Sequence, residues 1–445
     1  MKREMNRIAR LTALALAAAV CASICAHVAA AKPSLASRKQ KAHPVTRIVE
    51  VAASKLARKK RTVPGSTKGQ PQPPQPGTVV QAVATDYAHV VVSWAPVGGA
   101  SSYAVYRNAT LIGRVPTTSF TDSMLWPSTA YSYRIDAIAP DGLTVLTSLA
   151  TSATTPALPA SGVQPYLPGQ NVWNQPVGNA QPVANSSALI SYLVANALHP
   201  NMTLRTWGVS VAEAQPGQQP VFNVPCVIWS DCTLGALGPV PIPLAAAPDS
   251  QGDGHLAIYD PTSSQEWDLW QAQKTASGWQ AGAGAAVSTL GNGVAPSGTA
   301  GADAANMPLL GGLVRPEEIL QGHIDHALVF TMPHVSSLGH VCPATHHDGG
   351  TTDPNALKEG MRLQLDPSVN VDQLPIPAWE KTLARAMQVY GMYLRDQGGS
   401  LAIFADDSAS RGYDAWSKVG FSSSLSSAPL AGIPWNRFRV VSAPC

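Results

Sequence analysis

Proline and glycine punctuate this chain about once in every six residues, with 38 and 36 among 445. Proline removes a backbone donor, and glycine weakens element interiors through its chain entropy. Such density suits short strands joined by turns and works against long helices. A mainly β chain is therefore expected, with length for two or three domains.

Charge divides the chain further. Only 13% of residues are charged, against about 25% in ordinary globular proteins. The net charge of +3 hides an asymmetry. Residues 32–70 carry eleven Lys/Arg against Glu50 alone, whereas residues 71–445 carry 15 bases and 25 acids. The basic charge thus belongs to an arm and not to the body, which argues against a nucleic-acid-binding fold. The arm suits either attachment to anionic cell-surface polymers or a solvated linker. Residues 1–31 read as a secretory signal: Lys2, Arg3, Arg7 and Arg10 precede the apolar run Leu11 to Ala26 and small residues at Val28-Ala29-Ala30. No other segment is long and apolar enough to span a bilayer. The expected location is secreted or cell-surface. Removal of the signal leaves Cys226, Cys232, Cys342 and Cys445. An even count in an exported chain favours disulfides. Four cysteines allow three pairings, of which Cys226–Cys232 and Cys342–Cys445 are preferred.

The arm and the Pro/Gln-rich KGQPQPPQPG spacer occupy 32–75. Residues 76–157 then show short alternating strands: HVVVSWAPV with Trp94, SSYAVYRNATLIGRV around a turn at Asn108, and Leu125-Trp126-Pro127 leading to Tyr131. These motifs resemble the fibronectin type III family, whose tyrosine-corner position Tyr131 matches. The resemblance implies a β-sandwich with Trp94 and Tyr131 in its core, and a spacing or binding role more than a catalytic one. TTPALPASG (154–162) is read as a linker.

Residues 165–445 read as one larger domain. SSALISYLVANAL (186–198) is a short amphipathic helix, and 255–272 is a hairpin around Pro-Thr-Ser-Ser. Strands are expected at HALVFTMP, MRLQLDP, SLAIFAD and RFRVVS. The clearest helix spans 377–399, with Leu383, Met387, Tyr390 and Leu394 on one face and a stop at Gly398 or Gly399. The sum is a second, larger β-sandwich, jelly-roll-like, with a packed α-helix.

Candidate chemistry centres on histidine. Six of eleven histidines lie between His323 and His347, and His255 lies upstream in GDGHLAIYD. Imidazole titrates near neutrality and is the commonest metal ligand. Strand alternation after Gly322 would place His326 on the apolar face with Leu328, Phe330 and Met332. His346, His347, Asp348 and Asp353 fall in a Gly/Thr-rich loop. Asp253 with His255, and Glu266 with Asp268, are i, i+2 pairs on the two arms of the hairpin. Their pairing across it would give a carboxylate–imidazole set for acid–base work. Arg315 and Glu318 would form a buried ion pair, or Arg315 would bind a substrate carboxylate. No cofactor is indicated, and the spacing matches no standard zinc motif, although a divalent metal at the histidine site stays open. There is no G-x-S-x-G elbow, Walker loop or Rossmann glycine motif.

Over most of 165–445, NVWNQPV, GDGHLAIYD, MPLLGGLVRPEEI, GHIDHALVFTMP, VCPATH and YGMYLRDQGGS resemble an uncharacterised family of secreted bacterial proteins. The resemblance singles out Asp253, His255, His326 and His346, which that family keeps. It implies no activity. Two functions remain open. One is a carbohydrate-active enzyme: a polysaccharide lyase using Arg315 with His326 or His346, or a glycosidase using Asp253 and Glu266. The other is a non-catalytic surface or matrix protein that binds a glycan or cell-envelope polymer and whose histidines are structural.

Overall fold

The computed structural model describes residues 79–230, 232–298 and 301–445. The signal sequence and the basic arm lie outside the described residues. Strands β1 (Val80–Ala84), β2 (Val90–Trp94), β3 (Ser102–Arg107), β4 (Thr110–Val115), β5 (Ser119–Asp122), β6 (Ala130–Ile138) and β7 (Val145–Thr154) build the amino-terminal module. They form two antiparallel sheets, ordered β1-β2-β5 and β4-β3-β6-β7. The alternation expected of half-buried strands holds on β2, where Val90, Val92 and Trp94 are buried and the residues between them are not. Trp94 packs edge-to-face on Tyr103, 5.2 Å between ring centroids. Asn108 and Ala109 both take positive φ in the β3–β4 turn, as a two-residue hairpin requires. The Tyr131 hydroxyl accepts a hydrogen bond from the Trp126 amide at 2.8 Å. This tyrosine corner ties β6 to the crossing loop, as the sequence motif implies.

The larger part is built on a seven-stranded sheet of order β21-β8-β20-β17-β19-β18-β22. Its strands are β8 (Asn201–Thr203), β17 (Leu328–Met332), β18 (Arg362–Leu365), β19 (Met392–Gln397), β20 (Ala402–Ile403), β21 (Ser427–Pro429) and β22 (Phe438–Val441). A four-stranded sheet runs β16 (Ala283–Ser288), β13 (Gln265–Trp270), β12 (Leu256–Asp260) and β9 (Ser210–Glu213). Two small ribbons complete it: β10 (Val221–Phe222) with β11 (Val240–Pro241), and β14 (Gln273–Thr275) with β15 (Gly278–Gln280). The helices are α1 (Ser186–Asn196), α2 (Pro316–Gln321), α3 (Ala378–Val389) and α4 (Ala415–Lys418). Among the described residues no helix is long and apolar enough to cross a membrane.

The molecule is mainly β, but the jelly-roll expectation for the larger domain is not met. Jelly rolls are antiparallel. Here β17 pairs parallel with β19, β8 with β20, and β9 with β12. A parallel neighbour needs a crossover, and the chain from β17 to β19 supplies it through β18 and α3. The seven-stranded sheet is covered on both faces, so all five residues of β17 are buried. Leu328, Phe330 and Met332 face α1 and α3, among Leu189, Leu193, Leu383 and Met387. Val329 faces the opposite core with Val211, Ala257, Trp173 and Leu309.

The long helix is also shorter than its periodicity suggests. α3 ends at Val389, and Gly391 turns at φ +75° with its backbone pressed on Leu363. A side chain there would lie 2.6 Å from the Leu363 carbonyl, so glycine is required. Leu394 therefore belongs to a strand. The cysteines pair as preferred, Cys226 with Cys232 and Cys342 with Cys445.

The segment read as a linker is anchored, since the Thr155 hydroxyl donates to the Trp126 carbonyl (2.6 Å) and the Val163 amide to Gln321 (2.7 Å). Further bonds join the two parts. His89 lies between Asp86 and Glu213 (2.8 and 2.7 Å), Arg107 donates to the Arg411 carbonyl (2.8 Å), and Tyr413 donates to the Met124 carbonyl (2.8 Å).

Tyr131→Phe removes the acceptor of the Trp126 amide and leaves a buried donor unpaired. It is expected to destabilise the amino-terminal module by about 1–3 kcal/mol, read as a lower denaturant midpoint with an unchanged slope.

Candidate functional site

The candidate centre is a cavity of ≈ 380 Å³ at the carboxyl-terminal ends of β17 and β19, beside the turn that enters β12. Trp207, Asp253, His255, Thr331, Asp396 and Gln397 line it. Asp253 and His255 come from the turn entering β12. The Asp253 and Gly254 carbonyls accept the amides of Gln271 (2.7 Å) and Ala272 (3.1 Å), which closes the hairpin base. Asp253 Oδ1 lies 3.5 Å from Trp270 Nε1.

His255 is buried, and its Nε2 lies 2.9 Å from the Ala302 carbonyl. A carbonyl only accepts, so Nε2 carries the proton and donates it. Nδ1 then presents a lone pair with no hydrogen-bond partner. Burial pushes the imidazole pKa down, against the opposing pull of Asp253 and of nearby carbonyls, which keeps the ring neutral.

Asp396 reaches the cavity through a β-bulge. Phe330 pairs with Leu394 but Thr331 pairs with Asp396, so Arg395 is an extra residue on β19. The bulge sends Arg395 into the core and turns Asp396 to the cavity. Burial, then the nearby Asp303 and Asp348, push the Asp396 carboxyl up to about 8, against stabilising amides of Gln397 and Ala304. Its surroundings thus favour the protonated acid.

A segment without regular structure, 302–314, roofs this region. Arg395 donates to the carbonyls of Pro308 (2.6 Å) and Gly311 (2.9 Å) and pairs with Asp303 at 2.8 Å. Burial raises Asp303 to about 7, against the pull of Arg395. From below, Glu266 accepts the Leu310 amide (2.8 Å) and Asp268 accepts the Leu309 amide (3.0 Å). Burial raises both of these carboxyls, and each acts on the other.

The residues singled out in the sequence therefore separate. Asp253 and His255 meet at the cavity. His346 holds the same roof, with Nδ1 2.9 Å from the Ala304 carbonyl, but does not line the cavity. Glu266 is fully buried beneath the roof and does not pair with Asp253 across the hairpin. The register opposes Glu266 to Tyr259 and Leu269 to Leu256, so Asp253 and His255 lie toward Trp270. His326 sits in a bend before β17, not on the strand, with Nε2 3.0 Å from Glu318 and Nδ1 2.9 Å from the Ala327 carbonyl. Arg315 forms the expected buried pair with Glu318 (2.5 Å) and lies over the Tyr166 ring, 4.6 Å from its centroid. Burial acts to raise Glu318, but Arg315 and His326 together hold it down at about 2. Arg315 and His326 thus form a structural network apart from the cavity, and three histidines do not meet on one face. Among the described residues no group of three or more His, Cys, Asp or Glu is placed to hold a metal ion.

Sequence reasoning missed Asp396 and Trp207. Asp396 is hidden by reading YGMYLRDQGGS as the end of a helix, where it would be an exposed terminal residue. Trp207, 52% exposed, carries no periodic pattern.

No protein-family profile matches the chain. Among curated proteins, a poly(3-hydroxybutyrate) depolymerase of Ralstonia pickettii is 42% identical over 91 residues, 20% of this chain and 18% of its own. An exoglucanase B of Cellulomonas fimi is 35% identical over 107 residues, 23% of this chain and 10% of its own. An alpha-amylase of Niallia circulans is 49% identical over 57 residues, 13% of this chain and 4% of its own. The chain spans less than a fifth of the length of each of these relatives. Among solved structures, a fibronectin type III-like protein from Clostridium thermocellum is 24% identical, with TM-score 0.16, covering 19% of this chain and 92% of that one. A beta-1,2-glucanase from Parabacteroides distasonis is 21% identical, also with TM-score 0.16, covering 18% of this chain and 13% of that one. The amino-terminal sandwich is a fibronectin type III domain. Its sheet order and tyrosine corner are those described above.

The raised carboxyls set a pH dependence. A group whose folded pKa exceeds its unfolded value binds more protons in the native state, so stability falls as pH rises toward the folded value. Asp303, Asp396 and Glu359, at about 7, about 8 and about 9, all act this way. His89, raised to about 10 by Asp86 and Glu213 against its burial, adds in the same direction. His255, lowered by burial, weakens stability only on the acid side of its unfolded value. The melting temperature is therefore expected to fall steadily from pH 6.5 to pH 9.5. A rise over that interval would contradict the assignment.

Proposed function

We propose that the larger domain is an exported glycan hydrolase acting on a neutral polysaccharide, with its reaction centre in the Asp253–His255–Asp396 cavity. The observation that carries this reading is one cavity that joins two carboxyl groups, a neutral imidazole and a half-exposed tryptophan. Glycoside hydrolysis needs one carboxyl that gives a proton to the leaving oxygen and a second that acts on the opposite side. Asp396, protonated at neutral pH, is the proton donor. Asp253 takes the proton of the attacking water. Buried His255 fixes the cavity wall through its bond to the Ala302 carbonyl, and Trp207 offers a ring face to the sugar's C–H bonds.

The charge of the lining favours this over a lyase. Elimination from a uronate needs a cation to neutralise the carboxylate, and the described lining contains no Lys or Arg. Arg315 is spent on Glu318 and Tyr166. The relatives' names give polymer substrates, glucan among them, but the matched lengths are close to that of the fibronectin type III domain. They support the setting of a polymer-active protein and leave the reaction to the cavity. Two disulfides suit an oxidising, extracellular compartment. The non-catalytic glycan-binding reading draws on the same cavity and on the structural roles of His326 and His346.

Release of reducing ends from a panel of neutral polysaccharides tests the proposal. Asp396→Asn is expected to lower the rate by about 10²–10⁴-fold while keeping the melting temperature. The wild-type rate should fall off above about pH 8 as Asp396 loses its proton. Binding without any release would favour the non-catalytic reading.

A further inference from the structure

We propose that the stacked Trp229–Trp270 pair is an outer subsite that holds a neutral polysaccharide chain where it emerges from the cavity. The inference rests on the glycan reading above and extends it from a single sugar to a polymer.

The loop between Cys226 and Cys232 exposes three consecutive apolar side chains, Val227 at 59%, Ile228 at 51% and Trp229 at 45%. Scattered exposed apolar residues are ordinary, but a contiguous set marks a surface that something covers. The loop is held in place. The amides of Val227, Ile228 and Trp229 donate to the carbonyls of Ala281 (2.8 Å) and Gly282 (3.0 and 3.1 Å), and the disulfide closes it. Gly282 leaves room for the Trp270 ring, since a side chain there would lie 2.8 Å from that ring. Trp229 stacks on Trp270 with centroids 5.2 Å apart and planes 18° from parallel. The pair therefore presents one flat, fixed ring to solvent, and little conformational freedom is lost when a ligand covers it.

Continuity with the cavity selects the occupant. Trp270 Nε1 lies 3.5 Å from Asp253 Oδ1, and Asp253 lines the cavity. Asp253, Trp270 and Trp229 are thus successive contacts leading from the cavity wall to an exposed ring. A sugar ring offers polarised C–H bonds to the negative face of an indole, so a chain with one residue in the cavity meets the stacked pair with a later residue. The described cavity lining holds no Lys or Arg, which favours a neutral glycan over a polyanion.

Depletion binding to insoluble neutral polysaccharides (cellulose, chitin, insoluble β-1,3-glucan and starch granules) tests this with the full chain, Trp229→Ala and Asp396→Asn. Wild type and Asp396→Asn are expected to bind one of these polymers alike. Trp229→Ala is expected to bind about tenfold more weakly, with an unchanged melting temperature. Equal binding by Trp229→Ala, or binding by none of the three proteins, overturns the subsite. Binding lost in Trp229→Ala without release of reducing ends by wild type keeps the subsite and overturns the hydrolase reading. Weakening of Trp229→Ala together with a lowered melting temperature is resolved by Trp229→Phe, which keeps a stacking ring: restored binding supports the subsite, and binding still lost overturns it.

Discussion

A buried guanidinium organises the larger domain. Arg395 is nearly inaccessible to solvent and spends its donors on the carbonyls of Pro308, Leu309 and Gly311, beside the Asp303 carboxylate. A charge removed from water is costly unless such partners surround it. The partners here come from a segment with no ladder of its own, so the arginine replaces the hydrogen bonds that secondary structure would supply. Glu266 and Asp268 accept the amides of the same segment from β13. The roof so fixed orients two histidines through its Ala302 and Ala304 carbonyls.

The electrostatic character of the cavity follows from this arrangement. Carboxyl groups crowd the region and one guanidinium answers them. Burial then favours the neutral form of the surplus, which is why Asp268, Asp303, Asp396 and Glu359 all move upward. A neutral acid beside a neutral imidazole is a poor trap for a cation and a suitable proton donor. The bulge at Arg395 links the two halves of the design, because one inserted residue buries the arginine and delivers the acid.

Local rules made much of the architecture legible. Alternation and turn residues located the fibronectin type III strands, the β12–β13 hairpin and the position of α1. The even count of cysteines pointed to disulfides, and the preferred pairing is present. What stayed hidden depended on distant parts of the chain. Leu383 and Met387 share a helical face, but the period runs on into MYLRDQ, whose strand conformation comes from pairing with β17. Asp396 was hidden for that reason. Glu266 and His326 were visible as unusual residues. Their roles were not, because each is set by a partner, Leu310 or Glu318, that lies on another element. A count of neighbouring histidines in sequence says little about which of them share a space.

The fibronectin type III domain is fastened to this assembly through side chains. His89 bridges Asp86 and Glu213, and Arg107 reaches both Asp122 and the Arg411 carbonyl. These bonds join the module to the larger domain. The proposed chemistry turns on whether burial and the neighbouring Asp303 and Asp348 keep Asp396 protonated. Carboxyl ¹³C NMR titration, with Asp396→Asn to assign the signal, measures this directly. A midpoint near the value of about 8 is predicted. Titration near the ordinary aspartate value of about 4 would contradict it.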